Sequence, residues 1–114
     1  MIRSIFIKEI LTLYTQYYTE LSLLKEQIKH LEEKDYEYTD AGFFLDFKYD
    51  SKIYDYQIET NLIYSGPIIN SSELIDGAET LLRFKNGIVC YIEIFSRNSN
   101  YPKRDLADYH LTEF

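Results

Sequence analysis

The dipeptide Asn86-Gly87 stands between two apolar runs, Thr80 to Lys85 and Ile88 to Phe95, and limits the fold more than any other feature of the chain. Both central residues of a tight type I′ turn need positive φ, which Asn and Gly adopt at small steric cost, so the two runs are expected to pair as an antiparallel hairpin. Counting outward from the turn places Phe84 opposite Val89 and Leu82 opposite Tyr91. A second antiparallel pair is expected upstream. Phe43, Leu45, Phe47 and Tyr49 alternate with Phe44, Asp46 and Lys48, and beyond Asp50-Ser51-Lys52 the residues Tyr54, Tyr56, Ile58, Thr60 and Leu62 alternate with Asp55, Gln57, Glu59 and Asn61. Ser65-Gly66-Pro67 breaks that ladder, Asn70 to Gly77 forms a long connection, and 97–104 is irregular. Asp108 to Phe114 alternates weakly and is expected to close the sheet as an edge strand.

The first third of the chain carries a different period. Ile10, Tyr14, Tyr17, Leu21, Leu24, Ile28 and Leu31 recur every three or four residues, while Gln16, Glu20, Lys25, Gln27, Lys29 and Glu32 fall on other faces. One helix running to Leu31 is predicted, ended by Glu33-Lys34-Asp35. Such a seam suits a coiled coil between two chains or a helix laid on a sheet, and the strands downstream need cover, which favours the sheet. Met1 to Ile7 reads equally as an extension of the helix or as an edge strand. The expected fold class is α+β: one long N-terminal helix packed on an antiparallel sheet of four to five strands, as a single domain over residues 1–114.

Composition agrees with a folded, acidic protein. A chain of 114 residues, 46% apolar and 17% aromatic, has enough apolar surface for one core. Cys90 is the lone cysteine, so no internal disulfide is available. Lys8 and Glu9 interrupt the apolar start before it reaches the length of a signal peptide, and no run approaches the ~20 apolar residues of a membrane span. A cytoplasmic location is the expectation.

The net charge of −7 is concentrated: residues 35–60 hold seven acidic and two basic groups, against five and five in 1–34 and seven and five in 61–114. In that middle block tyrosines and carboxylates interleave, and the candidate partner-binding residues are Asp35, Tyr36, Glu37, Tyr38, Asp40, Asp50, Tyr54, Asp55, Tyr56 and Glu59. An acidic surface repels phosphate backbones, which disfavours direct nucleic-acid binding, and attracts a cationic protein. Twelve tyrosines and seven phenylalanines exceed what one helix and one sheet hide with ease, so some tyrosines are expected at the surface as contact anchors.

Signals for chemistry are weak. Cys90 lies between Val89 and Tyr91, where a small core residue is the expectation, and His30 and His110 have no metal-ligand spacing. The carboxylates Asp46 with Glu59, or Glu79 with Glu93, are the candidate acid/base pairs, with solvated faces and cross-strand ion pairs as the plainer account. No glycine-rich phosphate loop is present, because Gly42, Gly66, Gly77 and Gly87 stand alone. No catalytic residue, metal site or cofactor is therefore assigned.

The last third of the chain carries Asp76-Gly77-Ala78-Glu79, Phe84-Lys85-Asn86-Gly87, Tyr91-Ile92-Glu93-Ile94-Phe95-Ser96 and Tyr101-Pro102. This pattern resembles that of small cytoplasmic immunity proteins of bacterial polymorphic-toxin and contact-dependent growth-inhibition systems. The resemblance implies a non-enzymatic inhibitor that binds one cognate toxin domain, often a basic nuclease, and occludes its active site or substrate path. It transfers a role and no site residues. The partner expected is thus a cognate basic toxin domain, bound by one chain or by a dimer. A small hydrolase or nuclease, or a homo-oligomer built on the helical seam, are the alternatives.

Overall fold

The computed structural model describes residues 1–112. The elements run α1 (Ile5–Tyr17), a 3-10 turn (Thr19–Leu21), α2 (Leu24–Ile28), β1 (Leu31–Tyr38), β2 (Gly42–Tyr49), a 3-10 helix (Ser51–Tyr56), β3 (Ile63–Ser65), β4 (Ile68–Asn70), β5 (Ala78–Lys85), β6 (Ile88–Ser96) and β7 (His110–Thr112). The strands form one antiparallel seven-stranded sheet in the order β1-β2-β6-β5-β4-β7, with β3 beside β5. The architecture is α+β as expected, with a shorter helix and a larger sheet.

The predicted helix to Leu31 is corrected. Helix α1 has 13 residues and ends at Tyr18, whose backbone is extended at φ −109 and ψ 107. The chain then continues through two short helical pieces, and Leu31 opens β1. Ile10, Tyr14, Leu21, Leu24, Ile28 and Leu31 are nevertheless all buried, so the seam marked a buried surface that three short segments share. Those side chains are used by the protein's own core. The N-terminal ambiguity resolves as helix from Ile5, with Ser4 as N-cap accepting from the Ile7 N–H at 3.1 Å. Its flank is secured by Glu33 of β1, which accepts the backbone N–H groups of Arg3 and Ser4.

The strand predicted over Tyr54 to Leu62 does not form. Asp50 accepts from the Lys52 N–H and caps the 3-10 helix, and only Ile53 and Ile58 of that region are buried anchors. The hairpin partner of β2 is instead β1, whose sequence LEEKDYEY conceals its alternation behind a bulge at Lys34. The Asn86-Gly87 hairpin forms as expected, with positive φ at both residues and Phe84 opposite Val89. The next pair is displaced: Arg83 faces Tyr91 and Leu82 faces Ile92, because β6 carries an extra residue, Cys90. Cys90 is consequently half-exposed, not a core side chain. Strand β7 is an edge strand on β4, and Glu113 and Phe114 of the expected edge lie outside the described residues.

The two faces of the sheet differ sharply. On the inner face, Leu45, Ile92, Leu82 and Tyr64 form one buried row across β2, β6, β5 and β3, and Phe43, Ile94 and Thr80 form the next. Helix α1 covers this side. The Tyr14 hydroxyl donates to the Tyr64 carbonyl at 3.2 Å and pairs with the Thr80 hydroxyl at 3.1 Å. Helix α2 is tied in by Gln27, assigned by its sequence position to a polar face but fully buried. Its amide donates to the Tyr56 and Gly87 carbonyls at 2.8 Å each, and its carbonyl accepts from the Val89 N–H at 3.2 Å.

Candidate functional site: an uncovered acidic sheet face

The register of the strands defines two rows on the outer face. The first runs Asp35, Asp46, Tyr91, Arg83, Ile63 and the second Glu37, Phe44, Glu93, Leu81, Ser65, from β1 through β2, β6 and β5 to β3. None of these ten residues is buried, whereas their neighbours one position along β2, β5 and β6 are, apart from Cys90 at the bulge. Among the described residues no helix covers this side. Period two explains the contrast: the same strands that put Leu45, Ile92 and Leu82 under α1 must turn Phe44, Asp46, Tyr91, Glu93 and Leu81 outward.

The outward set is only partly polar. Phe44 and Tyr91 meet edge to face with ring centroids 5.8 Å apart, and Phe95 and Leu81 extend the apolar area. Four carboxylates, Asp35, Glu37, Asp46 and Glu93, stand against one guanidinium, Arg83, giving these two rows a charge of −3. Among the described residues none of the four carboxylates has an ion pair, although Glu32 next to them holds Lys48 at 3.4 Å and Glu79 holds Arg97 at 3.5 Å. Asp35 sits directly opposite Asp46, an arrangement that repels and destabilises an antiparallel pair.

Glu93 occupies the middle. Its cross-strand neighbours are Phe44 and Leu81, and its neighbours along β6 on the same face are Tyr91 and Phe95. Partial burial in this apolar surround pushes its carboxyl above the usual glutamate range.

The ten residues singled out from sequence do not form one surface. Asp35 and Glu37 lie on the outer face. Tyr36 and Tyr38 point to the inner side, stacked on each other at 5.8 Å and packed against Phe43, and burial raises both phenol pKa values. Asp40 lies in the β1–β2 turn, where its carbonyl accepts the Tyr101 N–H. Asp50, Tyr54, Asp55, Tyr56 and Glu59 lie beyond the opposite end of β2, roughly 25 Å from that turn for a strand of eight residues. There Asp50 pairs with His30 at 3.1 Å, a bond that lowers the Asp50 pKa, and Tyr56 stacks on the His30 ring. Tyr54 is exposed, its hydroxyl 3.3 Å from that of Tyr49, beside a cleft of about 310 Å³ floored by Phe47, Ile88 and Val89. Glu59 is exposed on the following loop.

Of the carboxylate pairs, Asp46 and Glu59 stand on separate elements, while Glu79 and Glu93 are diagonal on the outer face with Glu79 already held by Arg97. Among the described residues no group of three or more His, Cys, Asp or Glu is placed to hold a metal, and no helix is long and apolar enough to cross a membrane. Phe44, Asp46, Leu81, Arg83, Tyr91 and Glu93 were not singled out as partner-binding. For Phe44, Leu81 and Tyr91 the signal is an aromatic or leucine at the outward position of strands whose inward positions are already apolar. In comparisons with known proteins, the chain matches no family model, no curated protein and no solved structure.

Proposed function

We propose that the protein is a non-enzymatic binding module whose outer sheet face seats a basic protein, acting as an immunity protein that neutralises a cationic toxin domain by stoichiometric occlusion. The observation that carries the reading is the uncovered face: half apolar, with four carboxylates against one guanidinium and no ion pair for any of the four among the described residues. Apolar side chains bound to water and unneutralised like charges both favour a partner that removes the first and balances the second. The role of toxin inhibitor rests on the resemblance of the hairpin region to immunity proteins and on the acidic balance of the chain. Carboxylates on the face steer the basic domain and pair with the lysines and arginines that hold its substrate, while Phe44, Tyr91 and Leu81 supply contact area.

The test is retention of a purified partner. The chain is immobilised, a lysate of the native cell is passed over it at low and moderate salt, and any retained protein is identified, purified and titrated back. A basic protein that binds one to one, loses activity on binding, and is released by Asp46→Lys supports the reading. A partner that binds Asp46→Lys and the parent equally, or retention of acidic proteins alone, contradicts it.

A further inference from the structure

We infer that Glu93 is the anchor for an arginine side chain presented by the basic partner, an inference that rests on the docking role proposed for the outer face. Glu93 is ringed by Phe44, Leu81, Tyr91 and Phe95, its four nearest neighbours on that face. A carboxylate inside an apolar ring is where a partner's cation gains most, because the ring sheds water around the pair once covered and leaves the charge-assisted hydrogen bonds unscreened.

Among the described residues Glu93 has no ion pair. Arg83 occupies the adjacent row, opposite Tyr91 and Ile63, and Arg97 is engaged by Glu79. The charged groups diagonal to this position are Asp46 of β2 and Glu79 and Arg83 of β5, with Glu37 of β1 one strand further off. The three acidic groups add to the attraction for a positive group and outnumber the one guanidinium.

Arginine fits better than lysine for three reasons. The guanidinium sheds its water more readily than an ammonium, so entering an apolar ring is less unfavourable. Its planar fork meets both carboxylate oxygens at once. Its flat faces stack on aromatic rings, which here stand edge to face at 5.8 Å on one flank of Glu93. A lysine ammonium gains the charge attraction alone.

The experiment measures binding of two labelled decapeptides, alternating Arg-Ala and alternating Lys-Ala, by fluorescence anisotropy at low ionic strength. The parent, Glu93→Gln, Asp46→Asn and the double reversal Asp35→Lys/Asp46→Lys are compared. The parent is expected to hold the arginine peptide about tenfold more tightly than the lysine peptide. Glu93→Gln, which melts at or above the parent temperature, erases that preference, whereas Asp46→Asn weakens both peptides by about the same small factor. Equal binding of the two peptides, with Glu93→Gln unchanged and Asp46→Asn weakened, overturns the anchor and leaves the docking face standing. Binding of neither peptide, or binding that the double reversal leaves intact, overturns both.

Discussion

Three residues carry charge or polarity at positions wholly or partly withdrawn from water: Glu33, Gln27 and Glu93. Glu33 is 5% exposed, and although burial pushes its pKa up, the backbone N–H bonds from Arg3 and Ser4 outweigh that and lower it. Its stabilising contribution is therefore complete above the unfolded glutamate pKa and disappears as pH falls through the lower folded value. Glu33→Gln is expected to destabilise by about 1–3 kcal/mol at pH 7, with the deficit shrinking in acid, as read by thermal melts across pH. Gln27→Leu strands the buried Val89 N–H and the Tyr56 carbonyl, and a loss of about 1–3 kcal/mol in urea denaturation is expected. Glu93 behaves oppositely. Its pKa is raised, so its favourable term exists below the unfolded value and is lost as pH rises through the folded one. Glu93→Gln should raise Tm at pH 7, and the gain should vanish as pH falls into the range where the glutamate is protonated. A melt at pH 7 that falls in the variant contradicts the strained placement of this carboxylate.

Among the elements, legibility followed local chemistry. Asn86-Gly87 specifies its turn through φ alone, and the hairpin stood where those two residues put it. At Gly87, φ is +76, and a Cβ there would stand 2.1 Å from the Ile58 carbonyl oxygen. Gly87→Ala is expected to cost more than about 2 kcal/mol, measured by chemical denaturation, because strain and clash add. The Leu82–Tyr91 pairing failed at Cys90, since a bulge is a tertiary accommodation with no residue signature of its own. The helix failed at Tyr18 for a related reason: a 3.6-residue period reports which side chains are buried, and Leu21, Leu24 and Ile28 remain buried after the chain has turned. Strand β1 was hidden by its charge, because Glu33 and Lys34 look solvated while one is a buried cap and the other a bulge. The tyrosines misled in the same way, with Tyr36 and Tyr38 taken inward by a register that only pairing with β2 reveals.

At the scale of the molecule, the sheet has one face spent on the core and one left to solvent with a charge of −3 over two rows. The acidic character was legible in the sequence. The surface was not, since it is assembled from β1, β2, β6, β5 and β3 and takes only Asp35 and Glu37 from the ten candidate residues of the tyrosine-rich block. Because the attraction to a basic partner comes from exposed charge, its association should slow steeply as ionic strength rises toward 0.15 M, where the screening length is about 8 Å, while dissociation should depend on Phe44 and Tyr91. Phe44→Ala is expected to speed dissociation with little effect on association, as stopped-flow and dilution experiments would record. The most direct measurement is an amide chemical-shift map of the uniformly labelled protein titrated with the alternating Arg-Ala peptide. Shifts confined to Asp35, Glu37, Phe44, Asp46, Leu81, Arg83, Tyr91 and Glu93 are the predicted result. Shifts that gather instead around Tyr54, Asp55 and Glu59, or on α1, would contradict a docking function for the outer sheet face.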